Sequence, residues 1–306
     1  MAQITSTKVA TKKSYTIENN SYDSTLNFLG KDVNSYIGQM LYLTGKSEVL
    51  RQYGYEGFIL DYTEDIIGNE KNVYKCCDNY NSKYTELNGK YFRVLDVIKH
   101  PNAEQDDYLY GSVHFLKLEE KDSKDIVYFE YDSKYKHSFP FIVVGFFEKQ
   151  KKLLINQEFV FTDRILKVSS GEGLDIKTGA PISIKTGEKW KCKDLTVEER
   201  YYSLALVLEN SLGEITTVSY DATFDNRHFA YTIKESDFYK EKFGSEIFEL
   251  ILQGKVKVGM TREMCILSLG EPKSKNETVT SGHTSEQWIY TNKYLFFDNG
   301  ILTLMQ

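Results

Sequence analysis

Thr261-Arg262-Glu263-Met264-Cys265-Ile266-Leu267-Ser268-Leu269-Gly270-Glu271-Pro272 spells a short helix from its cap to its stop. The Thr261 hydroxyl is placed to accept from the free N–H groups of the first turn. Met264, Cys265, Leu267 and Leu269 are its apolar positions, and Gly270 followed by Pro272 ends it. Upstream, Ser236 to Gly254 reads as a helix, because Phe243, Ile247, Leu250 and Ile251 are spaced by three and four and share one face. Gly254 can take the left-handed conformation that lets the chain leave. Gly244 interrupts the pattern, which leaves open two short helices in place of one. Downstream, Lys273 to Ser285 reads as a polar loop. Gln287–Tyr290 and Tyr294–Phe297 then read as short aromatic strands, and Asp298-Asn299-Gly300 as a tight hairpin turn leading into Ile301 to Met305. Two helices followed by a three-stranded meander make an α+β module over residues 236–306, with the helices covering one face of the sheet.

Within that module, Gly259-Met260-Thr261, Leu269-Gly270-Glu271-Pro272, Trp288-Ile289-Tyr290 and Phe297-Asp298-Asn299-Gly300 together resemble the SmpA/OmlA family. Those are small bacterial outer-membrane assembly lipoproteins, with a fold similar to β-lactamase inhibitor protein. The resemblance covers about a quarter of the chain. It implies a helix–helix–sheet module that binds other proteins and catalyses nothing, with Trp288 and Tyr290 as interaction candidates. For Trp288 a packed core role is the stronger reading, ahead of contact. No lipobox cysteine precedes the module, and a large region of another kind is attached to it. The fold and a binding role therefore transfer, and membrane assembly does not.

A length of 306 residues suggests about two domains with substantial cores. Aromatic residues make up 14%, with 23 Tyr and 18 Phe, which favours sheet-rich structure. The net charge is −6 with no basic block, so no phosphate-neutralising surface for nucleic acid is visible. No stretch is long and apolar enough to span a membrane. The first residues lack an apolar signal core. Ala-Gln after a lone Met also fits a chain whose signal was removed, which would place the protein in the periplasm or cell envelope; otherwise it is cytoplasmic. Of the four cysteines, Cys265 sits on the apolar side of its helix. Cys76 and Cys77, being adjacent, are not expected to bond to each other. Redox activity, or metal binding with a distant His, is their alternative role. C-x-x-C pairs are missing, and no metal or cofactor site is expected.

Residues 1–30 read as a polar arm and 31–235 as a β-rich region of antiparallel sheets or two or three small SH3-like barrels. Gly38, Gly89 and Gly179, each followed by apolar residues at +3 and +5, carry the barrel reading. Strands are expected at Met40–Leu43, Phe58–Leu60, Tyr91–Ile98, Ser112–Leu118, Ile126–Tyr131, Phe139–Phe147 and Leu153–Phe161. Glu119–Asp125 and Glu148–Lys152 read as solvated charged turns between them. The tandem Ile-Lys-Thr-Gly units ending at Gly179 and Gly187 suggest two short strands. Leu204–Leu208 and Ile215–Tyr220 suggest a hairpin, with a helical start at Thr196, capped by Glu199, feeding it.

Catalytic motifs do not emerge. Thr44-Gly45-Lys46-Ser47 lacks the earlier glycine of a P-loop, since Met40 stands there. Ser170-Gly171-Glu172-Gly173 has no strand–helix setting for a dinucleotide. The five histidines form no ligand cluster, and 44 acids give no way to choose a catalytic pair. The leading expectation is a non-catalytic protein-binding or scaffold protein of the bacterial cell envelope, with a protein partner. One alternative binds cell-wall carbohydrate on platforms such as Tyr53, Tyr55 and Tyr108. The other is a hydrolase whose acid pair would lie in a pocket and have perturbed pKa values.

Overall fold

Alternation of apolar with polar residues along 113–120 and 126–132 puts every second side chain of two paired strands into a core. That pairing is the centre of the first half of a mainly β protein. The computed structural model describes residues 22, 25–64, 68–165, 173–198, 203–224, 228–280 and 282–306. The expected arm is thus described only at Tyr22 and residues 25–30. The chain divides into one unit of residues 1–153 with 196–203 and a second of 154–195 with 204–306.

The first unit contains strands β1 (Met40–Leu43), β2 (Phe58–Ile59), β3 (Cys76–Asp78), β4 (Asn81–Ser82), β5 (Tyr91–Lys99), β6 (Val113–Glu120), β7 (Ile126–Asp132) and β8 (Phe141–Val143). Six of them form one antiparallel sheet in the order β2-β7-β6-β5-β1-β8, and β3 and β4 make a separate hairpin. Phe58 anchors the core, with ring centroids 5.5 Å from Phe92, 5.0 Å from Phe129 and 5.8 Å from Phe141. Aromatic clusters of this kind add directional ring contacts to a large buried area.

Two expectations for this unit are corrected. Phe139–Phe147 does not continue as a strand, and Glu148–Lys152 is no turn: after β8 the chain enters helix α1 (Val144–Leu154). Phe147, Gln150 and Leu154 are buried at helical spacing, a period hidden by the apolar run before them. The loop around Glu119–Asp125 does join β6 to β7, but Glu120 is fully buried. Its carboxylate meets Lys75 Nζ at 2.6 Å and Lys90 Nζ at 3.1 Å, and accepts from the Tyr74 hydroxyl at 2.9 Å. Burial alone would push the Glu120 carboxyl up. The hydrogen bonds from Lys75, Tyr74, Ser123 and Lys90 outweigh it and hold the group down at about 2.

The second unit carries β9 (Glu158–Phe161), β10 (Gly173–Leu174), β11 (Pro181–Ile182), most of β12 (Lys189–Glu198) and of β13 (Ser203–Asn210), β14 (Ile215–Ser219) and β15 (Ala230–Thr232). Five form a sheet in the order β14-β13-β12-β9-β15, and β10 pairs with β11. The hairpin expected around Asn210 is present, with Leu206 opposite Val218. Thr196 lies inside β12 and caps no helix, while Glu199 is outside the described residues. The sheets are open, and none closes into a barrel among the described residues. Apolar residues after Gly38 and Gly89 serve the open six-stranded sheet instead.

Three helices follow: α2 (Ile233–Phe243), α3 (Ser245–Leu252) and α4 (Arg262–Leu269). The break falls at Gly244, with φ at +84°, so the long helix is two. Its start is Thr232, whose hydroxyl accepts from Glu235 N while the Glu235 carboxylate accepts from Thr232 N. At the end of α3, Lys255 N donates to Leu250 O and Gly254 N to Ile251 O, closing the helix as expected. Strands β16 (Ser274–Thr280), β17 (His283–Ile289), β18 (Tyr294–Asp298) and β19 (Ile301–Met305) make a four-stranded sheet in sequence order. The expected polar loop is therefore a strand hairpin. All seven residues of β16 are exposed, so it offers no apolar alternation to read. Phe248, Ile251, Cys265, Trp288, Leu295 and Leu302 share one core with Val160 of β9 and Tyr231 of β15. The C-terminal module therefore packs around strands that precede residue 236.

Candidate functional site

Side-chain alternation divides the C-terminal sheet into two faces. Trp288, Leu295, Phe297 and Leu302 are buried in the core with the helices. Register puts Asn276, Gln287, Phe296 and Leu304 in one cross-strand row, and Ser274, Ile289 and Tyr294 in the next. These lie out of phase with the core residues and so face away from α3 and α4. Tyr294 is 44% and Leu304 48% exposed, while Ile289 and Phe296 are half-buried. The result is a solvent-facing surface with an apolar centre, edged by the amides of Asn276 and Gln287.

The turn between β18 and β19 fixes this face. Asn299 and Gly300 have φ of +48° and +83°, the pair of values a two-residue hairpin turn needs. Asn299 N donates to Thr284 O at 2.8 Å, and Thr284 N donates to Asn299 Oδ1 at 3.0 Å, tying the turn to β17. Arg262 of α4 pairs with Glu286, whose Oε2 accepts from Trp288 Nε1 at 3.0 Å. Helix and sheet are thus locked in register from the inner side, and the outer residues inherit a rigid frame.

The four aromatic candidates separate. Trp288 and Tyr55 are each 1% exposed and belong to cores, not to contact surfaces. The Tyr55 hydroxyl donates to Thr44 O at 2.7 Å, and its ring stacks on Tyr84. Tyr290 is half-buried and donates to Gly270 O at 2.9 Å, sealing the end of α4. Tyr53 is 46% exposed, and Tyr108 is open as well. Tyr53 follows the helical turn Glu48–Arg51 and Tyr108 lies on the turn Asp107–Tyr110, so they form no aromatic row on a sheet face. The apolar residues of the outer surface, Ile289, Tyr294, Phe296 and Leu304, lay in expected strands, while Ser274 and Asn276 fell in the expected polar loop. Their facing could not be assigned without the register to β16.

A second place of interest is a pocket of about 190 Å³ in the first unit, with Tyr55, Glu56, Phe58, Glu70, Tyr80 and Glu130 in its wall. Glu130 N donates to Gly57 O, which brings the β7 carboxyl beside Glu56. Burial, then the charges of Glu56 and Asp132, push the Glu130 carboxyl above the usual carboxylate range. Glu70 joins these acids from the helical turn Glu70–Asn72.

Cys76 and Cys77 of β3 are paired with each other, contrary to the expectation for neighbours in sequence. The register between β3 and β4 is irregular from Cys76 to Asp78, where the pair sits. Cys265 is fully buried, and burial pushes its thiol up to about 12.

No family model, curated protein or solved structure matches the chain.

Proposed function

We propose that this protein is a non-catalytic binding protein of the bacterial cell envelope that docks a protein partner on the outer face of its C-terminal sheet. The observation that carries this reading is the apolar centre of that face, Ile289, Tyr294, Phe296 and Leu304, set on a frame locked by the Asn299-Gly300 turn and the Arg262–Glu286 pair. Rigid aromatic and aliphatic groups ringed by amides supply contact area at low entropic cost. The SmpA/OmlA-like motifs lie in the same module and are the support for the envelope.

The test is the pair Phe296→Asp and Leu304→Asp, made together. Both side chains lie opposite the core face, so the fold is expected to survive while the apolar centre is lost. Truncation before α2 is a poorer test, because it also uncovers Val160 and Tyr231. One observation favours a second reading, a hydrolase: the raised Glu130 carboxyl beside Glu56 in the pocket wall is the arrangement of a proton donor next to a carboxylate.

A further inference from the structure

We infer that the reduced Cys76–Cys77 pair, with Glu70, is a binding site for a thiophilic divalent cation such as Zn2+. The two sulfurs and a Glu70 carboxylate oxygen all lie within 4.8 Å of one another. That placement is of the closed pair; once the disulfide opens, the two sulfurs separate on adjacent residues beside Glu70, within reach of one ion through metal–sulfur and metal–oxygen bonds of about 2.3 and 2.0 Å. Two thiolates and one carboxylate form a soft donor set that favours zinc or cadmium over magnesium or calcium.

The local fold supplies these groups from different segments. Cys76 and Cys77 come from β3, at the irregular part of its pairing with β4. Glu70 comes from the helical turn before it. Lys75, next to Cys76, is anchored through its ammonium to buried Glu120, so the start of β3 is tied to the main sheet. The other carboxylate of the hairpin, Asp78, is taken up by Tyr84 N at 2.7 Å, which leaves Glu70 as the acid of the site. Glu70 also lines the pocket that holds Glu56 and Glu130, so the bound ion would sit at the pocket's margin. Three protein ligands leave a fourth position for water or for a group entering the pocket.

The site depends on redox state. A thiol reductant gives two electrons to the Cys76–Cys77 disulfide and is itself oxidised to a disulfide, while two protons reach the cysteine sulfurs. Binding of the cation then displaces those protons, because thiolate is the ligating form.

The test uses the full chain and Cd2+ as the spectroscopic probe, with Zn2+ as competitor. The reduced protein is expected to develop a thiolate-to-cadmium charge-transfer band that saturates at one equivalent and is reversed by Zn2+. The oxidised protein, which needs no substitution and keeps its fold, is expected to show none. Cys76→Ser and Cys77→Ser should each remove most of the band. Glu70→Gln should weaken binding at least as much as the roughly 10-fold loss from removing an outer-shell partner. Absence of the band in reduced wild type, equal binding by the oxidised chain, or unchanged affinity in Glu70→Gln each overturns the assignment.

Discussion

Glu120→Gln should destabilise the first unit at neutral pH and remove most of that unit's acid sensitivity near Glu120. The carboxylate is fully buried and sits between Lys75 and Lys90, with the Tyr74 hydroxyl donating to it. Its pKa falls from 4.5 to about 2 in the folded chain. At about 1.4 kcal/mol per unit, that displacement corresponds to about 3–4 kcal/mol. The lysines are 23% and 33% exposed, so solvent screening reduces the figure to about 2–3 kcal/mol. The folded pKa is depressed, so the stabilisation is present above the unfolded value near 4.5 and is lost as the pH falls toward 2. Both tryptophans, Trp190 and Trp288, belong to the second unit and so are not direct reporters on the first. Amide hydrogen exchange of β6 and β7 reads the first unit directly. At pH 7 those amides should exchange roughly 30- to 150-fold faster in Glu120→Gln than in wild type, and the ratio should shrink toward one as both proteins are taken toward pH 2. A ratio near one at pH 7, or one constant across the acid range, refutes the charge-network explanation.

Two further outcomes are open to measurement. Thr232→Ala removes the hydroxyl that accepts from Glu235 N at 3.2 Å, and should cost about 0.5–2 kcal/mol in urea denaturation of the second unit followed by tryptophan fluorescence. An unchanged midpoint would mean that α2 is held by packing alone. The wild-type protein should turn over no member of a chromogenic glycoside panel. Turnover that Glu130→Gln abolishes would favour the hydrolase reading over the binding one.

The strands around Phe92, Leu116 and Phe129 were legible because alternation marks a half-buried sheet. So were the caps at Thr261 and Gly270 and the Asn299-Gly300 turn, since each depends on a specific side chain or on positive φ. The helix Val144–Leu154 was not, because its Val-Gly-Phe-Phe start continues an apolar run and only burial shows the helical period. Edge strand β16 was hidden for the opposite reason: it is fully exposed, with Val279 its one apolar residue, and among the described residues it pairs only with β17. The same gap concealed which face Phe296 and Leu304 occupy. Glu120 looked like one acid in a solvated turn, since Lys75, Lys90 and Tyr74 reach it from 30 or more positions away in the sequence. Spacing cannot reveal such partners. Tyr55 was read as a contact aromatic from residue type and is buried, whereas Trp288, an interaction candidate whose first reading was core, is core; large aromatics fill cores as readily as they cover surfaces.

The docking face is tested most directly by comparing wild type with the Phe296→Asp/Leu304→Asp variant as immobilised baits against a bacterial envelope extract. The captured protein is identified, purified and titrated against both baits, and circular dichroism and melting temperature are matched beforehand. The expected result is one partner held by wild type and bound at least about 30-fold more weakly by the variant, as for loss of a buried contact centre. Equal affinity of that partner for both baits, with the fold of each intact, would contradict a binding role for the outer face of the sheet.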